Sequence, residues 1–295
     1  MDPLSEVFSL LDIQSAATSR LETAGAWAVR FPPKPSLKFH AVLRGSCWIT
    51  LPGESPCQLE AGDTFLLANS PAFVLASDPQ QAVEEASQVF AQLQSNIYHL
   101  GGDENVLLGG GFVFESGNAQ FLLDALPPFL LIPAKEPEAL VLRGILRMLD
   151  KELENTQMGS SLMTRRLGDI LLVQVLRAYV NSHGPIKAGW IGALSDRRIG
   201  AALSAIHADV GHQWTVGELA SVARMSRSGF AVRFKELVGI SPLDYVLRWR
   251  MQLARDALHK NDGSIASLAG RFGYASESAF SNAFKRHCQV VGSVT

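Results

Sequence analysis

The chain has 295 residues, is 47% hydrophobic and 18% charged, and carries a formal net charge of −2, as an ordinary globular protein of about two domains does. No apolar run reaches the roughly 18–20 residues of a membrane span, and the N-terminus, with Asp2 and Glu6 and no early Lys or Arg, does not read as a signal or transit peptide. The cysteines Cys47, Cys57 and Cys288 are few and form no CxxC pair, so a reduced cytoplasm is the expected compartment, with no membrane partner.

The net charge conceals a division. Residues 1–195 hold 13 Lys+Arg against 20 Asp+Glu, or −7; residues 196–295 hold 13 against 8, or +5; the two sum to −2. A basic C-terminal third points towards nucleic acid, although a solvated surface can carry the same charge.

Residues from about 25 to 115 read mostly as strands. Ala26 to Phe31 alternates and ends at Pro32-Pro33. Phe39 to Leu51 is extended, with a turn or bulge at Arg44-Gly45, and Pro52-Gly53 and Glu60-Ala61-Gly62-Asp63 mark turns. Many short strands with Gly/Pro punctuation predict an antiparallel sandwich or barrel. From about 118 the pattern becomes helical. Leu140, Ile145 and Leu149 lie on one amphipathic helix; a second, about Ser160 to Val180, carries Leu162, Leu167, Ile170, Leu171, Val175 and Leu176. Such faces need a partner surface, which can be the sheet, a second copy of the chain, or both. Asn181 to Pro185 opens a linker. The expected division is a sensor and dimerisation domain over 1–183, a linker over 184–195, and a DNA-binding domain over 196–295.

Two segments of that last domain repeat at a spacing of about 50 residues. WTVGELASVARMSRSGFAVRFKEL (Trp214–Leu237) and GSIASLAGRFGYASESAFSNAFKRH (Gly263–His287) each read as a short helix, a tight turn, a Ser, and a second helix with an aromatic pair. Val216, Leu219 and Ala220 match Ile265, Leu268 and Ala269; Phe230 and Phe234 match Phe280 and Phe284. The small alanines permit close helix crossing, Ser226 and Ser276 suit N-caps, and phenylalanines at i and i+4 bury one face. The opposite face is left free to enter a major groove. A packed helical hairpin would give one such pattern, but two copies joined by a helix from Pro242 to Leu258 are far more specific.

On these residues the C-terminal hundred resemble the AraC/XylS family of transcriptional regulators, most clearly in SRSGFAVRFKELVGISPLDYVLRWRMQLA and GYASESAFSNAFKR. The resemblance implies two helix-turn-helix units reading adjacent major grooves. Carried over by position, the first reading helix offers Arg227, Ser228, Ala231, Val232 and Lys235; the second offers Glu277, Ser278, Ser281, Asn282, Lys285 and Arg286. Asn282 suits adenine, Arg227 suits guanine or phosphate, and Val232 only a thymine methyl. Two departures stand out. Arg224 occupies a turn position that is often Gly in the family, while Gly273 keeps it in the second unit. After Arg286 the family turns through Gly-x-x-Pro into a closing helix; here His287 to Thr295 lacks that pattern and no closing helix is expected.

LEAGDTFLL (Leu59–Leu67) resembles the turn-and-strand signature of cupin barrels, which implies a jelly-roll sensor domain of AraC-type regulators. A cupin metal site would need at least three ligands. Here His40 stands alone with Lys38 where a paired His would be, Phe73 stands where a later His often sits, and His99 is isolated. No metal, cofactor or catalysis is expected. His40, Cys47 and Trp48 are the candidate effector-contacting residues, and Cys47 and Cys57 a candidate redox pair. The expected fold is an N-terminal β-barrel (cupin/jelly-roll) with a helical dimerisation segment, followed by an all-α double helix-turn-helix domain. The expected function is transcriptional regulation through double-stranded DNA by a homodimer under a small-molecule or redox effector, with activation through RNA polymerase implied by the resemblance. The alternative is a cupin-type binder or metal enzyme whose DNA-binding domain is defective.

Overall fold

A computed structural model describes residues 4–5, 13–90, 96–114, 123, 126–155, 157–187 and 189–292. The chain divides into two compact units. One comprises Ile13–Val113 and Leu126–Ser182, and the other includes His183–Thr295.

The first unit is built on strands β1 (Ile13–Thr23), β2 (Ala28–Phe31), β3 (Leu37–Arg44), β4 (Ser46–Thr50), β5 (Cys57–Glu60), β6 (Thr64–Leu67), β7 (Phe73–Ala76), β8 (Glu84–Glu85), β9 (Ile97–Leu100), β10 (Asn105–Phe114) and β11 (Phe129–Ile132). They form two sheets, ordered β11-β6-β3-β10-β1-β9 and β5-β4-β7-β2-β8. Val42, Phe65 and Leu107 of the first sheet share one core with Cys47, Ile49, Leu59, Phe73 and Leu75 of the second. This is the sandwich that the strand pattern predicts, except that it is not wholly antiparallel: β1 pairs with β9, and β2 with β8, in parallel. The alternation on β4, with Cys47 and Ile49 buried between more open neighbours, is the period of two of a pleated strand. The expected break at Arg44-Gly45 is real: Gly45 has φ 76 and separates β3 from β4.

Three features differ from the sequence reading. β1 lies ahead of the region read as strand. β11 lies inside the region read as helical; Pro127-Pro128 and Pro133 bracket its four apolar residues, which pair with β6. The apolar faces of the helices also split. In α2 (Ala139–Glu154), which follows the single turn α1 (Ala86–Val89), Leu142, Ile145, Leu146 and Leu149 are buried while Leu140, Val141 and Met148 are exposed. In α3 (Ser160–Lys187), Leu167, Leu171, Leu172 and Val175 are buried, and Leu162, Met163 and Ile170 face solvent.

α3 is broken at Gly184 (φ 74, ψ 162). Beyond it lie α4 (Gly189–Ser195), α5 (Arg197–Ala208), α6 (Val216–Val222), α7 (Arg227–Val238), α8 (Pro242–His259), α9 (Ile265–Arg271) and α10 (Glu277–Gly292). The stretch 184–195, read as a linker, therefore carries a helix. Trp190, Ile191 and Ala193 are buried, and Trp190 Nε1 donates to Tyr245 Oη at 3.0 Å, so α4 packs as part of the second unit. α8 serves both repeats: Tyr245 meets Phe234 edge-on at 5.8 Å, while Met251, Ala254 and Ala257 enter a core with Leu268, Phe272 and Phe280. His287 to Gly292 continue α10.

Candidate nucleic-acid interface

The two repeats fold alike down to single hydrogen bonds. In the first, α6 ends as the Met225 N–H donates to the Ala220 carbonyl at 2.9 Å; in the second, α9 ends as the Tyr274 N–H donates to the Ala269 carbonyl at 2.8 Å. Between them, Arg224 (φ 53) and Gly273 (φ 76) hold the same left-handed turn. Ser226 Oγ accepts the Gly229 N–H at 3.2 Å and starts α7; Ser276 Oγ accepts the Ala279 N–H at 3.1 Å and starts α10. Both are the N-caps expected from sequence. At the head of α6, Thr215 and Glu218 form a reciprocal capping box, which the sequence reading missed.

Each reading helix is anchored by its aromatic pair. Phe230 and Phe234 are buried with ring centroids 5.5 Å apart; Phe280 is buried and lies 6.0 Å from the half-buried Phe284. Anchoring one face fixes which residues are left outside. Arg227, Ser228, Val232 and Lys235 on α7 are exposed, as are Glu277, Ser278, Asn282, Lys285 and Arg286 on α10; Ala231 and Ser281 are half-buried on the same helices. The outer face of α7 is cationic at Arg227 and Lys235 but apolar at Val232, which is 59% exposed. The outer face of α10 carries the Glu277 carboxylate, hydroxyls, an amide and the Lys285-Arg286 pair. Short polar groups reach base edges, and flanking cations reach phosphate.

The sequence matches the family described as Cupin over residues 2–181 and the family described as Helix-turn-helix domain over residues 219–293. It is similar to an AraC-like transcription regulator of Streptomyces lividans, at 41% identity over 97% of this chain and 95% of that one. The chain belongs to the AraC-like transcription regulators. It is also 30% identical to the HTH-type transcriptional regulator AlkR of Acinetobacter baylyi, over 97% of this chain and 96% of the relative. Among solved structures it is similar to ToxT of Vibrio cholerae, with a TM-score of 0.35 and 15% identity over 92% of each chain. This regulator binds DNA through its helix-turn-helix domain.

In the cupin domain the candidate effector residues do not converge. His40 and Cys47 point into the core, whereas Trp48, next to Cys47 on β4, points to the other face of its sheet. His40 stacks on Phe65 at 5.0 Å and meets Phe73 edge-on at 5.3 Å. Its ring fits because β10 presents Gly109 opposite it: a Cβ there would lie 2.9 Å from His40 Nδ1. Burial, with the nearby Lys38 charge, lowers the His40 pKa from 6.5 to about 3, so the imidazole is neutral. Cys47 and Cys57 are both free thiols; on the β4–β5 ladder Cys47 faces Leu59 and Cys57 faces Ile49. Burial, with Asp63 adding, pushes the Cys47 thiol up to about 12, which disfavours the reactive thiolate.

Two features escaped the sequence reading because they join residues far apart in the chain. His207, Tyr245 and Trp190 form a buried polar network behind α7: His207 Nε2 and Tyr245 Oη are 2.7 Å apart, and the His207 ring stacks on Trp249 at 4.2 Å. Arg250, on α8, is buried and donates from Nε to the Val210 carbonyl at 2.8 Å. Nothing in the spacing of these residues marks them; the signal is only that polar and charged groups recur on otherwise apolar helices.

Proposed function

We propose that the regulator reads two DNA half-sites, one with each helix-turn-helix unit, as a homodimer whose DNA-competent state is set by an effector at the cupin domain. The observation that carries this reading is the duplicated unit whose anchored helices turn polar and cationic faces outward. The bases would be read by Arg227, Ser228, Ala231 and Val232 in one unit and by Glu277, Ser278, Ser281 and Asn282 in the other, with Lys235, Lys285 and Arg286 on phosphate. The exposed apolar stripe of α2 and α3, with Leu140 72% and Leu162 59% exposed, supports self-association.

For the effector, a cleft of about 460 Å³ in the cupin domain is a better seat than the enclosed His40 and Cys47. Arg20, Arg143, Arg147, Asp150 and Glu154 line it, so it suits a polar small molecule. It adjoins α2, the helix that carries the exposed stripe. An effector there shifts dimerisation only as far as its affinity differs between the two arrangements. The regulator would act in the cytoplasm, and activation through RNA polymerase would be the outcome of binding.

A salt titration of duplex binding tests the DNA end. Lys235, Lys285 and Arg286 each neutralising one phosphate give a slope of log K against log salt of about −3 per protomer. A slope near zero on every duplex, with or without ligands, would sink the reading.

A further inference from the structure

We infer that Gly211, Gln213, Arg250 and Gly273 form a clamp that fixes the second reading unit against the first, and that this clamp sets the half-site spacing the regulator accepts. The inference rests on the proposal that both units read DNA.

The two turns supply the first observation. Arg224 and Gly273 hold equivalent positions with the same left-handed backbone. Arg224 shows that this turn accommodates a side chain, so Gly273 is required for another reason. A Cβ at Gly273 would lie 2.2 Å from the Gly211 carbonyl oxygen and 2.7 Å from Gln213 Nε2. A Cβ at Gly211 would in turn lie 2.8 Å from the Arg271 carbonyl oxygen. Two glycines thus let two backbone segments touch.

Polar groups then lock the contact. Gln213 Nε2 donates to the Gly273 carbonyl. The Arg250 guanidinium, reaching from α8, donates to the Val210 carbonyl at 2.8 Å and also to the His212 carbonyl. Val210 itself packs into the core of the second repeat. The far end of the same segment launches the first repeat. Trp214 Nε1 donates to the Asp209 carbonyl at 2.9 Å, and Thr215 caps α6. Residues 209–215 therefore belong to both repeats at once.

The mechanical consequence follows from geometry. α8 alone holds the repeats at a set distance along its axis, but a single helix bends and twists. A contact off that axis removes those freedoms. Each inserted base pair moves a half-site by about 3.4 Å and turns it by about 35° around the duplex, so a rigid pair of readers tolerates little insertion.

The test uses the full chain and duplexes carrying both half-sites, at the selected spacing and with two base pairs inserted, beside a duplex with one half-site. Wild-type protein should lose about tenfold or more in affinity on insertion, as a stiff bivalent reader does. Gln213→Ala and Arg250→Met should lose less than about threefold on the same insertion, while binding the single half-site within about twofold of wild type. Variants that bind more weakly yet keep the wild-type insertion penalty would overturn the clamp and leave the spacing to α8. A wild type that gains nothing from a second half-site would overturn the two-unit reading, and the clamp with it. If Arg250→Met loses helical signal in circular dichroism, Gln213→Ala, which removes one exposed amide, carries the test.

Discussion

The first and second helix-turn-helix units of this regulator share a backbone, caps and anchoring aromatics, and differ in what packs behind them and in the groups they expose. Both turns are left-handed, both reading helices start on a serine cap, and both bury an i, i+4 phenylalanine pair. The first unit backs onto a polar network of His207, Tyr245 and Trp190 and exposes a face interrupted by Val232. The second is held by an apolar core of Met251, Leu268, Phe272 and Phe280 and shows hydroxyls, an amide and two cations. The apolar skeleton of a motif thus sets the fold, while its exposed positions are free to diverge in what they recognise. On the proposed reading both units touch bases and phosphate, and the second offers the richer set of hydrogen-bonding readers.

The largest expected effect separates the two turns. Gly273→Ala adds a left-handed strain and drives a Cβ into the Gly211 carbonyl, at a cost of about 2–4 kcal/mol. Arg224→Gly, at the matching position, should change stability by less than about 1 kcal/mol. Thermal unfolding of both variants checks the contrast, and equal effects would break it.

A comparable effect comes from pH. Burial lowers the His207 pKa from 6.5 to about 4, so the folded state holds it neutral while the unfolded chain protonates first. Its contribution is complete above pH 6.5 and is lost as pH falls from 6.5 towards 4, by up to about 3 kcal/mol. Among the described residues, the apolar core of the second unit holds no histidine. Hydrogen exchange should therefore show α7 losing protection before α10 on acidification, and His207→Gln should flatten the difference. Equal loss in both helices would count against the role of His207.

Smaller effects concern recognition. Asn282→Ala should relax preference at one base pair by about 1–3 kcal/mol, whereas Val232→Ala should scarcely alter sequence preference, as binding to a panel of single-base variants would report. Arg286→Ala should weaken binding to all sequences alike and reduce the salt slope by about one. If Val232→Ala relaxed preference as much as Asn282→Ala, the division of labour between the units would be wrong.

Much of this fold was legible in the sequence because it depends on local period and local capping. The duplicated helices, both serine caps and both turns follow from residues within one repeat. The strand-rich first unit follows from Gly/Pro punctuation, yet β11 hid among helical signals because four apolar residues suit either element until a partner strand decides. The helix α4 hid in a supposed linker because Trp190 gains its reason only from Tyr245, far along the chain. The effector candidates depend on packing that no local pattern shows: His40 and Cys47 carry suitable chemistry, and both are buried, His40 against Phe65 and Phe73.

The most direct measurement is selection of the full-length protein against a random duplex pool. Enrichment of two dissimilar half-sites about one helical turn apart, the more sharply defined one assigned to α10 by its relaxation in Asn282→Ala, is the expected result. Enrichment of a single half-site, or of none under any ligand condition, would contradict a protein that reads DNA with both of its units.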